Sequence, residues 1–401
     1  MRPFEGRRVL LGVTGGIASY KAGWLARLLA QGGAAVDVVM TGAATEFVGP
    51  ITFEALTGRP VHTDIFALGR ALDHIRLARE ADAVVVAPAT ADFMARAAQG
   101  RADDLLTACL LATEAPVLLV PAMNDRMWAH PQTRRNVEHL RGIGYTVVEP
   151  DEGPLAAGEG SGPGRMPEPD AILAHAARLL DDGSLAGRRV VVTAGPTREA
   201  IDPVRFLSNR SSGKMGVALA AAAWRRGADV TLIAGPLEVP LPVVAHVVRV
   251  ETTEEMAAAV RRALPEADAL IMAAAPADFR AALPAPSKIK KQDGAPPAIQ
   301  LTRTTDILAD TRDARRAGAV IVGFALETDD LVSNAREKLA AKQLDLIVAN
   351  DAREPGAGFA VDTNRVTLIA RDGEPEVFPL MPKSDVADLI LDRVGALLGA
   401  R

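Results

Sequence analysis

Short apolar segments alternate with amphipathic or polar stretches along the entire chain. The first segment, Arg8–Val13, runs into a Gly-Gly turn and then a helical pattern. On that helix Ile17, Tyr20, Trp24 and Leu28 recur at spacings of three and four and share an apolar face. Further strand-like runs lie at 34–41, 83–88, 116–122 and 145–150. Near-continuous apolar strands that alternate with helices favour a parallel sheet covered on both faces.

The pattern restarts in the second half. A polar linker at 181–187 is followed by GRRVVVTAGPT (187–197), which echoes GRRVLLGVTGG (6–16). Strand-like runs follow at 228–235, 245–250, 268–275, 319–325 and 344–350, then a hairpin at 365–380 with Asp372-Gly373 in its turn and a terminal helix at 383–399. The sequence therefore predicts two doubly wound α/β domains, 1–183 and 187–401, with ligands at the carboxyl ends of their strands.

Composition narrows the class of protein. The 401 residues are 49% hydrophobic and 24% charged, with a net charge of −5, which disfavours a broad nucleic-acid surface but leaves local phosphate pockets open. The single cysteine, Cys109, excludes an internal disulfide framework and a cysteine-rich zinc site. The N-terminal residues lack a signal-peptide pattern and no run reaches the ~18 apolar residues of a membrane span, so a cytoplasmic location is expected.

Three features of the first half are candidates for chemistry. The turn GVTGGIAS (12–19) joins a strand to a helix, where glycines and helix N–H groups suit an anion. It lacks the spaced glycines of a dinucleotide fingerprint, and a tight turn without a ligand is the less favoured alternative; by itself the signal is weak. His74 precedes a strand, although a lone histidine is more often structural. PAMNDRMW (121–128) places Asn124 just past a strand end, with no evident packing need, which favours a function.

Two basic loops mark the second half. DPVRFLSNRSSGKMG (202–216) is rich in hydroxyl groups, and PADFRAALPAPSKIKKQ (276–292) follows another strand end. Their cations include Arg205, Arg210, Lys288, Lys290 and Lys291. A basic loop is usually a solvated surface, but two at the ligand-binding edge of one domain favour the binding of phosphates.

These motifs together resemble a known family. GVTGGIASYKA, DHIRLAREADAVVVAPATAD, PAMNDRMW, GPTREAIDPVRFLSNRSSGKMG, SKIKK and VGFALET occur in this order over nearly the whole chain. They are similar to the bifunctional coenzyme A biosynthesis family, in which a lyase, phosphopantothenoylcysteine decarboxylase, is fused to phosphopantothenate–cysteine ligase. The resemblance implies a flavodoxin-like or Rossmann-like flavoprotein domain followed by a Rossmann-like ligase domain.

For the second domain, the resemblance implies a ligase that uses CTP to activate 4'-phosphopantothenate as an acyl-cytidylate, which the amine of cysteine then attacks. Lys288 would handle the CTP phosphates, while Arg205 and Asn209 would hold phosphopantothenate and its acyl-cytidylate. Magnesium is expected to bind the phosphates, although the sequence contains no cluster of residues that predicts a protein metal site. The nucleotide would also contact Asp278, Thr305, Asp306, Ile307, Leu308, Phe324, Lys338 and Lys342.

For the first domain, the resemblance implies FMN and oxidative loss of CO2 from 4'-phosphopantothenoylcysteine, followed by reduction of the enethiol to 4'-phosphopantetheine. His74 would be the base of the oxidative step. Asn124 would grip the substrate carboxylate, with Met123, Arg165 and Met166 beside the substrate. The flavin would contact Thr14, Gly15, Gly16, Ile17, Ala18, Thr41, Phe47, Ala89 and Thr90.

The sequence departs from the family pattern in GPLAAGEGSGPGRM (153–166), a glycine-rich stretch that we expect to form a mobile flap. The family cysteine that protonates the enethiol is replaced by Ala157, with Glu159 as the nearest alternative donor. Cys109 lies in an apolar run and is expected in the core. The family's APATAN motif ends here in Asp92.

The motifs and their departures from the family pattern allow three hypotheses of function. The leading one is the complete bifunctional enzyme, and a variant of it stops at the enethiol, as flavoproteins that decarboxylate peptide cysteines do. The third is a regulatory nucleotide-binding protein with inactive sites, which the retained His74, Asn124, Asn209 and Lys288 argue against. The resemblance also implies homo-oligomers, with trimeric flavin domains and dimeric ligase domains that together build a dodecamer.

Overall fold

The described residues divide into two compact units, with the division between Asp182 and Gly183. The computed structural model describes residues 3–155, 158, 160–243, 246–290, 298–327, 329–351, 353–354, 356–358 and 360–400. Across these residues, no helix combines the length and apolar character that a membrane crossing requires.

The first unit is built on a six-stranded parallel sheet with strand order β3-β2-β1-β4-β5-β6. This is the Rossmann order, not the flavodoxin-like one, and it confirms the predicted doubly wound fold. Its elements are β1 (Arg8–Val13), α1 (Ser19–Gln31), β2 (Ala35–Met40), α2 (Gly42–Thr45), α3 (Pro50–Thr57), β3 (Val61–His62), α4 (Asp73–Glu80), β4 (Ala83–Ala89), α5 (Ala91–Ala98), α6 (Leu105–Ala112), β5 (Val117–Pro121), α7 (Asp125–Ala129), α8 (Pro131–Gly142), β6 (Thr146–Val147), β7 (Asp151–Pro154), β8 (Ser161–Arg165) and α9 (Pro169–Leu179).

Two apolar cores, one on each face of the sheet, hold this unit together. On one face α1, α3 and α9 pack against the strands, and on the other α4, α5, α6 and α8 do so. Every residue of β4 is buried, which explains its unbroken apolar run. The coverage of both faces leaves the strand ends as the place for a ligand site.

Three of the four residues predicted to form the apolar face of α1 are exposed to solvent, and the fourth, Leu28, is half-buried. Ile17 and Tyr20 are 69% and 65% exposed, and Trp24 is 51% exposed. The buried positions of α1 are the small or branched residues Ser19, Ala22, Gly23, Leu25, Ala26 and Leu29. Small residues bring the helix close to the sheet, so the aromatic face is left outside.

The glycine-rich stretch predicted as a loop is partly a β-hairpin. β7 and β8 pair antiparallel, from Asp151 against Arg165 to Pro154 against Ser161. Ala157 and Glu159 lie outside the described residues.

The second unit contains an eight-stranded sheet of order β13-β12-β9-β14-β17-β18-β20-β21. Its strands pair parallel except for two antiparallel pairs, β18 with β20 and β20 with β21. The predicted hairpin around Asp372-Gly373 is confirmed by the β20–β21 pair. The elements are β9 (Arg189–Ala194), β10 (Arg198–Ala200), β11 (Phe206–Ser208), α10 (Lys214–Arg225), β12 (Asp229–Ala234), β13 (His246–Arg249), α11 (Thr253–Ala263), β14 (Ala269–Met272), β15 (Phe279–Ala281), β16 (Leu301–Arg303), α12 (Ile307–Asp310), β17 (Val320–Glu327), α13 (Leu331–Ala341), β18 (Leu346–Asp351), β19 (Thr363–Asn364), β20 (Thr367–Ala370), β21 (Glu376–Val377), β22 (Met381–Pro382) and α14 (Lys383–Gly399).

Candidate active sites

A cavity of about 940 Å³ lies at the carboxyl ends of β1, β2, β4 and β5 in the first unit. The chain order reverses between β1 and β4, and such a switch point is where ligands bind in open α/β sheets. Eleven predicted residues line this cavity: Thr14, Gly15, Gly16, Ile17, Ala18, Thr41, Thr90, Met123, Asn124, Arg165 and Met166.

The turn after β1 is held rigidly against β4. The Thr14 hydroxyl donates to the Pro88 carbonyl at 2.8 Å and accepts the Thr90 N–H at 3.1 Å. A Cβ on Gly15 would lie 2.4 Å from the Cβ of Ala43, so only glycine fits this position. The first turn of the 13-residue helix α1 follows directly, and its N–H groups suit a phosphate. The cradle therefore fits a phosphate-bearing ligand such as FMN.

The turn after β5 carries Asn124 and supports the hairpin. Asn124 caps α7, with its amide oxygen accepting the Arg126 N–H at 2.9 Å. The Met123 N–H donates to the Gly164 carbonyl at 3.0 Å, which seats β8 on this turn. A Cβ on Gly164 would lie 2.2 Å from the Met123 carbonyl oxygen. The hairpin can therefore approach the cavity only because position 164 is glycine.

Three predicted residues are not among those that line the cavity. Ala89 is fully buried, with its side chain in the core, and Phe47 is 50% exposed beyond α2. His74 lies half-buried on α4, and its Nδ1 is buried with no hydrogen-bond partner among the described residues. The structure thus does not bring His74 and Asn124 to one cavity within a single chain.

Two cationic residues that sequence reasoning missed do line the cavity. Lys21 donates to the Met166 carbonyl at 3.1 Å and pairs with Glu168 at 2.7 Å, tying α1 to the end of the hairpin. Arg96 pairs with Asp104 at 2.7 Å. Lys21 belongs to the GVTGGIASYKA motif, so the sequence offered a reason to place it at the site. No motif around Arg96 indicated that it would line the cavity.

In the second unit the two basic loops meet at the carboxyl ends of the strands. The Asn209 amide donates to the carbonyls of Ala275 and Pro276, at 3.2 and 2.9 Å, just past β14. Arg205 pairs with Asp202 at 3.0 Å and donates to the Ile289 carbonyl at 3.2 Å. Lys288 and Lys290 are exposed, whereas Lys291 lies outside the described residues.

The remaining predicted nucleotide contacts differ in burial and pairing. Lys342 pairs with Asp306 at 3.1 Å, and Lys338 pairs with Glu327. Asp278 and Asp306 are exposed, Thr305 and Phe324 are half-buried, and Ile307 and Leu308 are buried core residues. The side chains of Ile307 and Leu308 therefore pack inward, which leaves only their backbone for a nucleotide.

No group of three or more histidine, cysteine, aspartate or glutamate side chains within the described ranges could hold a metal ion.

Each half of the chain matches a known protein family. Residues 2–181 match the family described as flavoprotein, and residues 185–397 match the family described as DNA/pantothenate metabolism flavoprotein C-terminal domain. The coenzyme A biosynthesis bifunctional protein CoaBC of Mycobacterium tuberculosis is 48% identical, covering 98% of this chain and 97% of that protein. The chain belongs to the bifunctional coenzyme A biosynthesis family.

Other members of the coenzyme A biosynthesis family are nearly as similar. The protein of the same name from Bacillus subtilis is 47% identical over 98% of this chain and 97% of its own length. Among solved structures, the C-terminal domain of a CoaBC is 37% identical, with a TM-score of 0.46, and covers 55% of this chain and 100% of that one. The comparisons give no support to a flavin half that stops at the enethiol.

Cys109 is not placed to replace the family cysteine. It is fully buried in α6, and this burial, with smaller contributions from Asp73 and Asp104, raises the pKa of its thiol to about 12. The thiol therefore stays protonated and inaccessible near neutral pH.

We expect Cys109→Ala to leave decarboxylation within about two-fold of wild type, because the thiol lies in the core. In the native wild-type protein a thiol reagent at about pH 8 should label Cys109 far more slowly than in urea. Loss of decarboxylation in a folded Cys109→Ala protein would instead give the thiol a chemical role.

We expect Gly164→Ala to lower decarboxylation about ten-fold or more while FMN stays bound, because the new Cβ collides with the Met123 carbonyl and displaces the hairpin. Gly162→Ala is the matched control. Its Cβ would lie 3.0 Å from the Asp125 Cβ, a much smaller overlap than the 2.2 Å at position 164, so its effect should be smaller. Equal activities for the two variants would show that the seat of the hairpin is unimportant.

Proposed function

We propose that the second unit joins 4'-phosphopantothenate to cysteine at the expense of CTP, through an acyl-cytidylate, and that the first unit decarboxylates the product to 4'-phosphopantetheine with FMN. The chain is a bifunctional enzyme of coenzyme A biosynthesis, a phosphopantothenate–cysteine ligase and phosphopantothenoylcysteine decarboxylase in one. The proposal is supported by the pairing of two sites in one chain. The first matched half has a cavity with a phosphate cradle at the switch point of its sheet, and the second has a cationic edge at the ends of its strands.

In the first unit, residues 15–18 would hold the FMN phosphate with backbone N–H groups at the start of α1. Bound FMN supplies a two-electron acceptor and donor for the thiol-bearing carbon of the substrate. The capping bond uses the amide oxygen of Asn124, so its NH2 group can donate to the substrate carboxylate. The hairpin would exclude water from the reacting carbon.

His74 remains the proposed base of the oxidative step. Its Nδ1 has no hydrogen-bond partner among the described residues, and His74 is not among the residues that line the cavity of the same chain. We propose that a second copy of the chain brings a His74 to this cavity. The exposed stripe of Ile17, Tyr20 and Trp24, of which the first two line the cavity, supports such a contact.

In the second unit the cations would offset the repulsion between a nucleoside triphosphate and a phosphorylated acid. Lys288 would bind the CTP phosphates, with Lys338 and Lys342 nearby, and Arg205 and Asn209 would hold the acyl-cytidylate. Mg²⁺ would accompany the triphosphate, coordinated chiefly by phosphate oxygens and water.

The proposal is tested with the purified full-length protein. Given 4'-phosphopantothenate, cysteine, CTP and Mg²⁺, it should yield 4'-phosphopantetheine, CO2, pyrophosphate and CMP, the last being released when the amine of cysteine attacks the acyl-cytidylate; mass spectrometry detects the products. Without CTP no product should form from phosphopantothenate, whereas added 4'-phosphopantothenoylcysteine should still be decarboxylated. Failure to form the cysteine amide would overturn the ligase assignment, and a protein without a flavin spectrum would overturn the decarboxylase assignment.

A further inference from the structure

Asp202 connects the two basic loops of the second unit. Its side chain is fully buried, although it sits at the ligand edge of the sheet. Its Oδ1 accepts the N–H groups of Val204 and Arg205, at 2.7 and 2.8 Å. Its Oδ2 accepts the Ile289 N–H at 3.1 Å and the Arg205 guanidinium at 3.0 Å. One carboxylate thus closes its own turn and reaches a loop 87 residues further along the chain.

Both backbone groups of Ile289 are held by this pair. Asp202 accepts its N–H, and Arg205 donates to its carbonyl at 3.2 Å. A second link nearby runs from the Ala285 N–H to the Ile201 carbonyl at 2.9 Å. Ile289 is half-buried, whereas Lys288 and Lys290 on either side of it are exposed. The clamp therefore fixes the backbone from which both lysines extend.

The charge of Asp202 suits this task. Burial alone would raise the pKa of the carboxyl group, but the three N–H donors and the positive charge of Arg205 hold the pKa of Asp202 below its usual range. The carboxylate is ionised at neutral pH, and charge-assisted hydrogen bonds are the stronger kind.

We propose that Asp202 is a positioning residue of the ligase, which through Ile289 holds Lys288 and Lys290 in place for the phosphates of CTP. This inference rests on the proposed function. Two long lysine side chains on a free loop would lose rotational and backbone freedom when they bind a triphosphate, and an anchored backbone removes part of that cost in advance. The clamp also orients Arg205, so one carboxylate sets the geometry of both basic loops.

Asp268 provides a matched control for a purely structural effect. It also accepts a backbone N–H, that of Arg189 at 2.8 Å, and an arginine, Arg316 at 2.7 Å. It directly precedes β14 and so lies at the opposite, amino end of the strands in the same unit. Asp268→Asn should weaken comparable bonds without touching the basic loops.

The test compares wild type, Asp202→Asn and Asp268→Asn in the full-length protein by steady-state ligase kinetics and hydrogen exchange. For Asp202→Asn we expect the KM for CTP to rise about ten-fold and kcat to fall, with the KM for cysteine nearly unchanged. In the same variant, hydrogen exchange of the backbone amides in residues 284–290 should become faster than in wild type. For Asp268→Asn the KM for CTP should stay at the wild-type value.

The proposal is overturned if the Asp202→Asn and Asp268→Asn proteins have the same KM for CTP and the same rate of amide hydrogen exchange in residues 284–290. Should Asp202→Asn not fold, Ile289→Pro is the second variant: it removes the donated N–H, fixes φ at position 289 and restricts the backbone of Lys288, and it must then raise the KM for CTP. An unchanged KM for CTP in Ile289→Pro would equally reject the clamp. If the wild-type protein shows no CTP-dependent ligation, the proposed function itself is refuted. This result is distinguishable from failure of the clamp proposal, in which wild type is active and the variants keep its KM for CTP.

Discussion

Lys288→Gln should lower ligase kcat/KM by about 10² to 10³, because it removes a positive charge from the developing negative charge on the CTP phosphates. The change falls on an exposed side chain, so the folded state should be unaffected. The two units are compact by themselves, and decarboxylation of added 4'-phosphopantothenoylcysteine should therefore remain at the wild-type rate. Pyrophosphate release measures the first activity, and CO2 release measures the second.

Lys290→Gln is the matched control for this prediction. It removes the same charge from the same loop two residues away, so general charge attraction would be weakened equally in both variants. We expect a measurable but smaller loss for Lys290→Gln, since both lysines extend from the anchored loop toward the phosphates but the resemblance gives the CTP-binding role to Lys288. Equal losses would mean that the loop acts only through its summed charge.

The alternation of apolar runs was enough to predict both sheets. The terminal helix was predicted at 383–399 and is found there, and β1 has the predicted bounds Arg8–Val13. Such runs are reliable because a strand buried on both faces needs apolar residues at every position. The predicted run 145–150 contains only the two-residue strand β6, since edge strands have fewer pairing partners to extend them.

The α1 stripe shows where periodicity stops being informative. Tyr20 and Trp24 do lie on one face of α1, whereas Ile17 lies in the turn before the helix, and spacing alone does not say whether that face meets the sheet or the solvent. Here the small residues of the opposite face allow the closer approach to the strands. The choice is made by packing between elements, which local spacing does not contain.

The candidate sites were predictable only in part for a similar reason. The cavity contains the motif residues that follow β1, β4 and β5, because their positions are set by the sheet order. The Asp202–Ile289 bond joins residues far apart in sequence, and the Arg96–Asp104 pair crosses between two helical segments. No short motif records such contacts, so they become visible only in the folded chain.

Gly15→Ala should nearly abolish flavin binding, with the bound FMN per chain falling more than about ten-fold. The new Cβ would lie 2.4 Å from the Ala43 Cβ and 2.8 and 2.9 Å from its backbone carbon and oxygen. Backbone atoms cannot move aside as a flexible side chain can, so the turn after β1 must shift. Its N–H groups would then no longer converge on a phosphate, and absorbance near 450 nm should be lost together with decarboxylation.

Gly23→Ala separates this effect from the mere addition of a methyl group to the same region. Gly23 lies within α1, where a Cβ would meet only the Leu56 and Thr52 side chains, at 3.6 and 4.0 Å, and where alanine favours the helix by about 0.5–1 kcal/mol. It should keep its flavin and melt no lower than wild type. Ligation should be normal in both variants, because Gly15 and Gly23 belong to the first unit. A fully yellow, active Gly15→Ala protein would show that the phosphate cradle lies elsewhere.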